Sequence, residues 1–113
     1  MPARVRTLKL TEAEFQRQVI ELAKALGWKV AHFRPGMTRA GRWGTQVQAD
    51  GAGWPDLFLC RPRDGKILAL ELKVPPNKTT PAQREWIEAL RRCGIEAAVV
   101  TPEEWQHIER MLS

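Results

Sequence analysis

The chain has 113 residues, 43% of them hydrophobic and 27% charged, which fits one globular domain with a modest core. No apolar run approaches the roughly 18 residues a membrane-spanning helix needs, and the basic start "MPARVRTLKLTE" lacks the apolar stretch of a signal peptide, so a cytoplasmic address is the expectation. A net charge of +5 leans toward polyanionic partners, while Cys60 and Cys93, inside apolar segments, read as reduced core residues rather than a disulfide framework.

Residues 1–10 read as a flexible N-terminus. Thr11 then opens "TEAE", which fits a capping box: threonine at the N-cap and glutamate three residues on. It predicts a helix over residues 12–26, stopped by Gly27, with Phe15, Val19, Ala23 and Leu26 as its apolar stripe. "KVAHF" reads as a short strand. "DLFLC" and "ILALEL" are stronger strands around the turn "RPRDGK". "TPAQ" at Thr80 predicts a second capped helix over residues 81–93, stopped by Gly94, with Trp86, Ile87, Leu90 and Cys93 facing inward. "EAAVV" reads as a buried strand, and "TPEE" at Thr101 opens a third helix over residues 102–112. The expected fold is α/β, one domain over residues 1–113, with a small mixed β-sheet flanked by helices in the order α-β-β-β-α-β-α.

Residues 35–54 hold no convincing element, and twenty such residues are long for a compact domain. They contain five glycines, with Arg39, Arg42 and Trp43, and Arg34 lies just before them. No acid appears until Asp50. Arg34, Arg39 and Arg42 are therefore candidate phosphate contacts, and Trp43 is a candidate for stacking on a base.

The two central strands raise a question of charge. Asp56 opens the first, and Glu71 and Lys73 close the second. If the turn is Asp64-Gly65 alone, Asp56 opposes Lys73; if it is four residues long, Asp56 opposes Glu71. Opposed residues on antiparallel strands share a face, as do residues two apart on one strand. Either register gathers all three charges on one side. The opposite side carries Leu57, Leu59, Leu68, Leu70 and Leu72. Charges on a half-buried face are expensive unless they pair or bind a cation. An edge salt bridge is one reading. The other is chemical: two carboxylates can hold a hard divalent cation, and a lysine beside them can orient water or stabilise charge during phosphodiester hydrolysis.

"PD" at Asp56 and "ELK" fifteen residues later resemble the PD-(D/E)xK nuclease superfamily. More specifically, "TEAEFQ" with "LGW", "HFRPGMT", "GWPDLFL", "ELK", "TPAQREWIEALRRCG" and "TPEEW" resemble the VRR-NUC domain over residues 11–112. The resemblance implies a restriction-endonuclease-like core and DNA cleavage dependent on Mg²⁺ or Mn²⁺. Asp56 and Glu71 would be metal ligands, Lys73 the catalytic lysine, and the backbone carbonyl of Leu72 a further ligand. It also implies an acid on the first helix and a glutamine on the later one. Stand-alone, phage-type members are similar to Holliday-junction resolving enzymes, so branched DNA, a homodimer and a bacterial or phage-infected host are the expected setting. The alternative is a nucleic-acid-binding module that keeps the fold without turnover.

Glu12 shares a helix face with Phe15, Gln16 and Val19, whereas Glu14 is the capping-box acid; Glu12 is taken as the metal-site acid ahead of Gln16 and Glu14. Gln83 fits the capping box of the second helix and also lies on its inward stripe, so it has both a structural and a catalytic reading. His32 and His107 lack metal-ligand spacing with any other residue. Trp54 is expected to pack under the long loop.

Overall fold

In the computed structural model, residues 10–33, 36–37, 43–44 and 47–113 are described, without the side chains of 36–37 and 43–44. The expected arginines Arg34, Arg39 and Arg42, the side chain of Trp43 and the N-terminal residues 1–9 lie outside the described residues.

The elements follow the predicted order. Helix α1 spans Glu12–Ala25, strand β1 Lys29–His32, β2 Gly36–Met37, β3 Trp43–Gly44, β4 Leu57–Arg61, β5 Lys66–Leu72, α2 Pro81–Arg92, β6 Glu96–Val100 and α3 Trp105–Leu112. Strands β2 and β3 pair as a small antiparallel ribbon inside the segment expected to hold no element. Two residues per strand is too short to leave a periodicity in the sequence.

Local chemistry sets the helix ends. Thr11 Oγ1 accepts from the Glu14 N–H at 3.1 Å while Glu14 Oε1 accepts from the Thr11 N–H at 2.8 Å. Thr80 and Gln83 repeat this pair at 3.2 and 2.8 Å. Ahead of α3, Glu104 Oε1 accepts from the Thr101 N–H, but residues 102–104 form a 3-10 turn before the α-helix begins. Gly27 and Gly94, at φ +91° and +86°, follow the first two helices in the left-handed conformation that glycine adopts without steric cost.

The main sheet has strand order β1-β4-β5-β6. The first three strands are antiparallel, and β6 joins β5 in parallel after the α2 crossover. Arg61 pairs with Lys66 and Leu57 with Leu70. The turn is thus the four-residue alternative, a 3-10 turn over Pro62–Asp64 closed by Gly65 at φ +68°.

Alternation along β4 and β5 sorts the faces. Leu57, Leu59, Leu68, Leu70 and Leu72 are all fully buried beneath α1 and α3, with Phe15, Val19, Ile108 and Leu112. Each such leucine contributes about 2 kcal/mol of transfer free energy. The other face carries Phe58, Ala69, Ala97 and Val99 and is covered by Trp86, Ile87 and Leu90 of α2. Cys93 departs from expectation: it is the exposed C-cap residue of α2, where the chain turns away from the sheet, and Cys60 is half-buried.

Arg61 ends β4 inside the protein, 1% exposed. Its guanidinium donates to the carbonyls of Leu26, Leu112 and Ser113 at 3.1, 3.0 and 2.9 Å and pairs with Asp64 at 3.0 Å. It lies 4.7 Å from the Trp28 ring centroid, and Trp28 Nε1 donates to the same Leu112 carbonyl at 2.9 Å. This arginine ties the C-terminal ends of α1 and α3 to the sheet, satisfying carbonyls that helix ends leave without partners.

Candidate active site

Asp56 lies one residue before β4, and Glu71 is the next-to-last residue of β5. Continuing the register from Leu57 and Leu70 sets the two acids opposite each other. Asp56 is 8% exposed and Glu71 1%. Asp56 is held at both ends: its carbonyl accepts from the Phe33 N–H at 2.8 Å, and its Oδ2 accepts from the Leu72 N–H at 2.9 Å. Lys73 follows β5 directly, and its own N–H extends the parallel ladder to the Val100 carbonyl at 3.0 Å.

Glu71 differs sharply from Asp56. Both its carboxylate oxygens are buried without a hydrogen bond. Lys73 Nζ stands 3.5 Å from Oε2, an ion-pair separation longer than a well-formed hydrogen bond. Burial, reinforced by the Asp56 charge, pushes the Glu71 carboxyl up to about 8, with Lys73 pulling the other way. Asp56 is also raised: burial is the largest cause, the Leu72 N–H opposes it, and the charge of Glu12 adds to it. The described residues thus supply too few compensating groups to favour ionisation of both carboxyls at once.

Glu12 is half-buried at the start of α1, and its charge reaches Asp56. Glu14 serves the cap instead, which holds its carboxyl below the usual range. Gln16, one turn on from Glu12, is 4% exposed with an unpartnered Oε1. Gln83 Oε1 is committed to the Thr80 N–H, so its structural role is filled. Leu72 is fully buried, and its amide N–H serves Asp56. Among the described residues no three His, Cys, Asp or Glu side chains converge tightly enough to form a metal cluster by themselves.

Sequence reasoning missed an aromatic cluster beside these acids. Trp54 is 5.9 Å from Phe33, 5.5 Å from Phe58 and 4.9 Å from Trp86, centroid to centroid. Their spacing along the chain carries no periodicity; the one signal was Trp54, two residues before Asp56.

A mixed sheet with two opposed acids and a neighbouring lysine at the ends of adjacent strands defines a nuclease-type α/β domain. The VRR-NUC domain profile matches residues 13–103, and the chain belongs to the VRR-NUC domain family. It is similar to a solved structure described as a VRR_NUC domain, with 26% identity and a TM-score of 0.62 over 89% of this chain and 92% of the other. No curated protein matches the sequence at a significant level. VRR-NUC domains are nuclease-type, which makes DNA the substrate and the chain a hydrolase. No described helix is long and apolar enough to cross a membrane.

Proposed function

We propose that this chain is an endonuclease dependent on Mg²⁺ or Mn²⁺ that hydrolyses phosphodiester bonds in branched DNA, four-way junctions included. The observation that carries the reading is the Glu71 carboxylate: two buried, unpartnered oxygens opposite a second buried acid. Such a carboxylate needs either a proton or a cation. The oxygen donors suit a hard divalent ion, so Asp56 and Glu71 would hold it, with Glu12 and the Leu72 carbonyl as further candidates. When bound, the ion supplies charge neutralisation at the phosphate and activation of the attacking water.

The remaining work falls to the chain's own groups. The Leu72 N–H fixes the Asp56 carboxylate, so its orientation is set before substrate arrives. Lys73 Nζ, mostly buried and 3.5 Å from Glu71 Oε2, would orient the attacking water or meet charge developing on the phosphate. Gln83 stands at the start of α2, and a catalytic role would require it to leave the Thr80 N–H. Arg34, Arg39, Arg42 and Trp43 would supply DNA contacts. Two copies acting as a homodimer would present two sites to two strands of opposite polarity.

The test is cleavage of a labelled panel: four-way junction, flap, nicked duplex, single strand and linear duplex. It is run with Mg²⁺, with Mn²⁺ and with EDTA, with sedimentation velocity to determine oligomeric state. Preferential incision of branched substrates that EDTA abolishes supports the reading. Salt-sensitive binding without incision under either metal would identify a binding module instead.

A further inference from the structure

A pocket of about 350 Å³ opens at the loop that leads to Asp56, lined by Phe33, Val47, Ala49, Asp50, Trp54 and Trp86 among others. Its volume is in the range of small-molecule pockets. Three features decide what it takes. First, its walls are flat and mutually perpendicular: Phe33 and Trp54 meet at 86°, and Trp54 and Trp86 at 81°. A planar ligand stacked on one ring meets the edge of the next, an arrangement that aromatic quadrupoles favour. Second, no lysine or arginine is among its described lining residues. Among the described residues its one charged group is Asp50, and a larger adjoining hollow that shares Asp50 and Trp86 adds Glu85. Acids at the rim repel phosphate and leave a neutral flat group as the better guest. Third, Trp54 Nε1 is buried without a hydrogen-bond partner, so the ring's one polar atom is sealed from the pocket and what Trp54 offers a guest is apolar ring surface. By contrast, Trp86 Nε1 already donates to the Asp50 carbonyl at 3.0 Å, which fixes that ring.

The pocket is coupled to the site by the backbone. Trp54 precedes Asp56 by two residues, and the Phe33 N–H binds the Asp56 carbonyl. Gly53, at φ +85°, lies so close to α2 that a Cβ there would meet the Ala82 carbonyl carbon at 2.5 Å. The loop that leads to Asp56 and the helix bearing Trp86 are thereby pressed together.

We propose that this pocket receives one unpaired nucleobase of the DNA strand whose phosphate lies at Asp56 and Glu71, stacked against Trp54 or Trp86. The inference rests on the nuclease reading and deepens it: a base can enter only where it is unpaired, so the pocket supplies a physical reason for preferring branch points over continuous duplex. Paired bases are held in the stack and would have to be flipped at a cost.

The experiment is done in EDTA, where no cleavage occurs, so that it reads binding alone. A four-way junction with one unpaired 5-iodouracil next to the crossover is compared with the same base paired in linear duplex. Ultraviolet cross-linking followed by peptide mass spectrometry is expected to place the adduct on Phe33, Trp54 or Trp86 for the unpaired base and on none of them for the paired one. In parallel, Trp86→Leu should lose about tenfold in affinity for DNA with an unpaired base, the effect of one stacked base, and keep its affinity for duplex; Trp86→Phe should retain most of both. Phe33→Leu provides the same comparison if Trp86→Leu fails to fold. Cross-links confined to other segments, or equal losses on paired and unpaired DNA, would overturn the proposal. A change in oligomeric state with DNA binding intact would also overturn it, assigning the pocket to a protein contact. Absence of cleavage under every metal would leave these binding results standing and would count against the nuclease reading alone.

Discussion

Lys73 Nζ and Glu71 Oε2 lie 3.5 Å apart on the same side of one strand, 13% and 1% exposed. Among the described residues the lysine is the ion-pair partner of a carboxylate that has no hydrogen bonds, and its pull is outweighed by burial and by the Asp56 charge, which raise that carboxyl. From this imbalance follow expectations for catalysis and for stability.

Removing any member of the trio should stop turnover while leaving the fold. Lys73→Ala is expected to lower single-turnover cleavage by about 10²–10⁴-fold, the range of a positioned proton-transfer or charge-stabilising group. Asp56→Ala and Glu71→Ala should leave no measurable incision in either metal. Retention of most of the wild-type rate by any two of the three would show that the chemistry lies elsewhere.

The pH dependence of stability has a definite sign. The Glu71 carboxyl titrates near 8 in the folded chain against about 4.5 for an ordinary glutamate. Between those values the folded state holds a proton that the unfolded state has lost, so stability falls as pH rises through the window. Below about 4.5 both states are protonated and this contribution is fully retained. Melting temperatures measured in EDTA from pH 5 to pH 8.5 should therefore decline, and Glu71→Gln should flatten the decline. A divalent cation, if it occupies the site, should raise the melting temperature most at the alkaline end.

On α1, Glu12 and Glu14 separate by role. Glu14→Gln should change turnover little, because glutamine also serves as the third residue of a capping box. Glu12→Gln should impair metal-dependent turnover, since its charge reaches Asp56. The opposite ranking in single-turnover assays would assign the first-helix role to Glu14.

Arg61→Met should destabilise the protein by about 3 kcal/mol in urea unfolding, because the Leu26 carbonyl and Asp64 lose their Arg61 donor and the buried Leu112 carbonyl keeps only Trp28 Nε1. Arg61→Lys should recover only part of this, since an ammonium cannot span several acceptors as a planar guanidinium does. Equal stability of the methionine variant would mean that water replaces the lost donors.

Much of this was legible in the sequence because it is written in local codes. The capping pairs Thr11–Glu14 and Thr80–Gln83, the glycines that stop α1 and α2, and the leucine alternation in β4 and β5 each depend on residues a few positions apart. The trio was legible because a hairpin converts sequence spacing into a shared face. The register itself was open between a two-residue and a four-residue turn, and the 3-10 turn over Pro62–Asp64 decided it. What could not be read is what long-range contacts create. Arg61 opens the turn "RPRDGK", and its burial comes from the ends of α1 and α3 arriving around it. The cluster of Phe33, Trp54, Phe58 and Trp86 draws on the residue after β1, the loop before β4, β4 and α2, which no window of sequence spans.

Strand β5 has a neighbour on each side, β4 and β6, whereas β1 and β6 close the sheet with one partner each. Glu71 and Lys73 are therefore mounted on the strand that fraying reaches last, and the amide of Lys73 is itself bonded to Val100. In hydrogen–deuterium exchange, the amides of Leu72 and Lys73 should open only with the whole domain, while those at the outer edge of β1 exchange through small local openings. Chemical denaturant should then extinguish the site and the fold at one midpoint, with no partly unfolded form that has lost only its active residues.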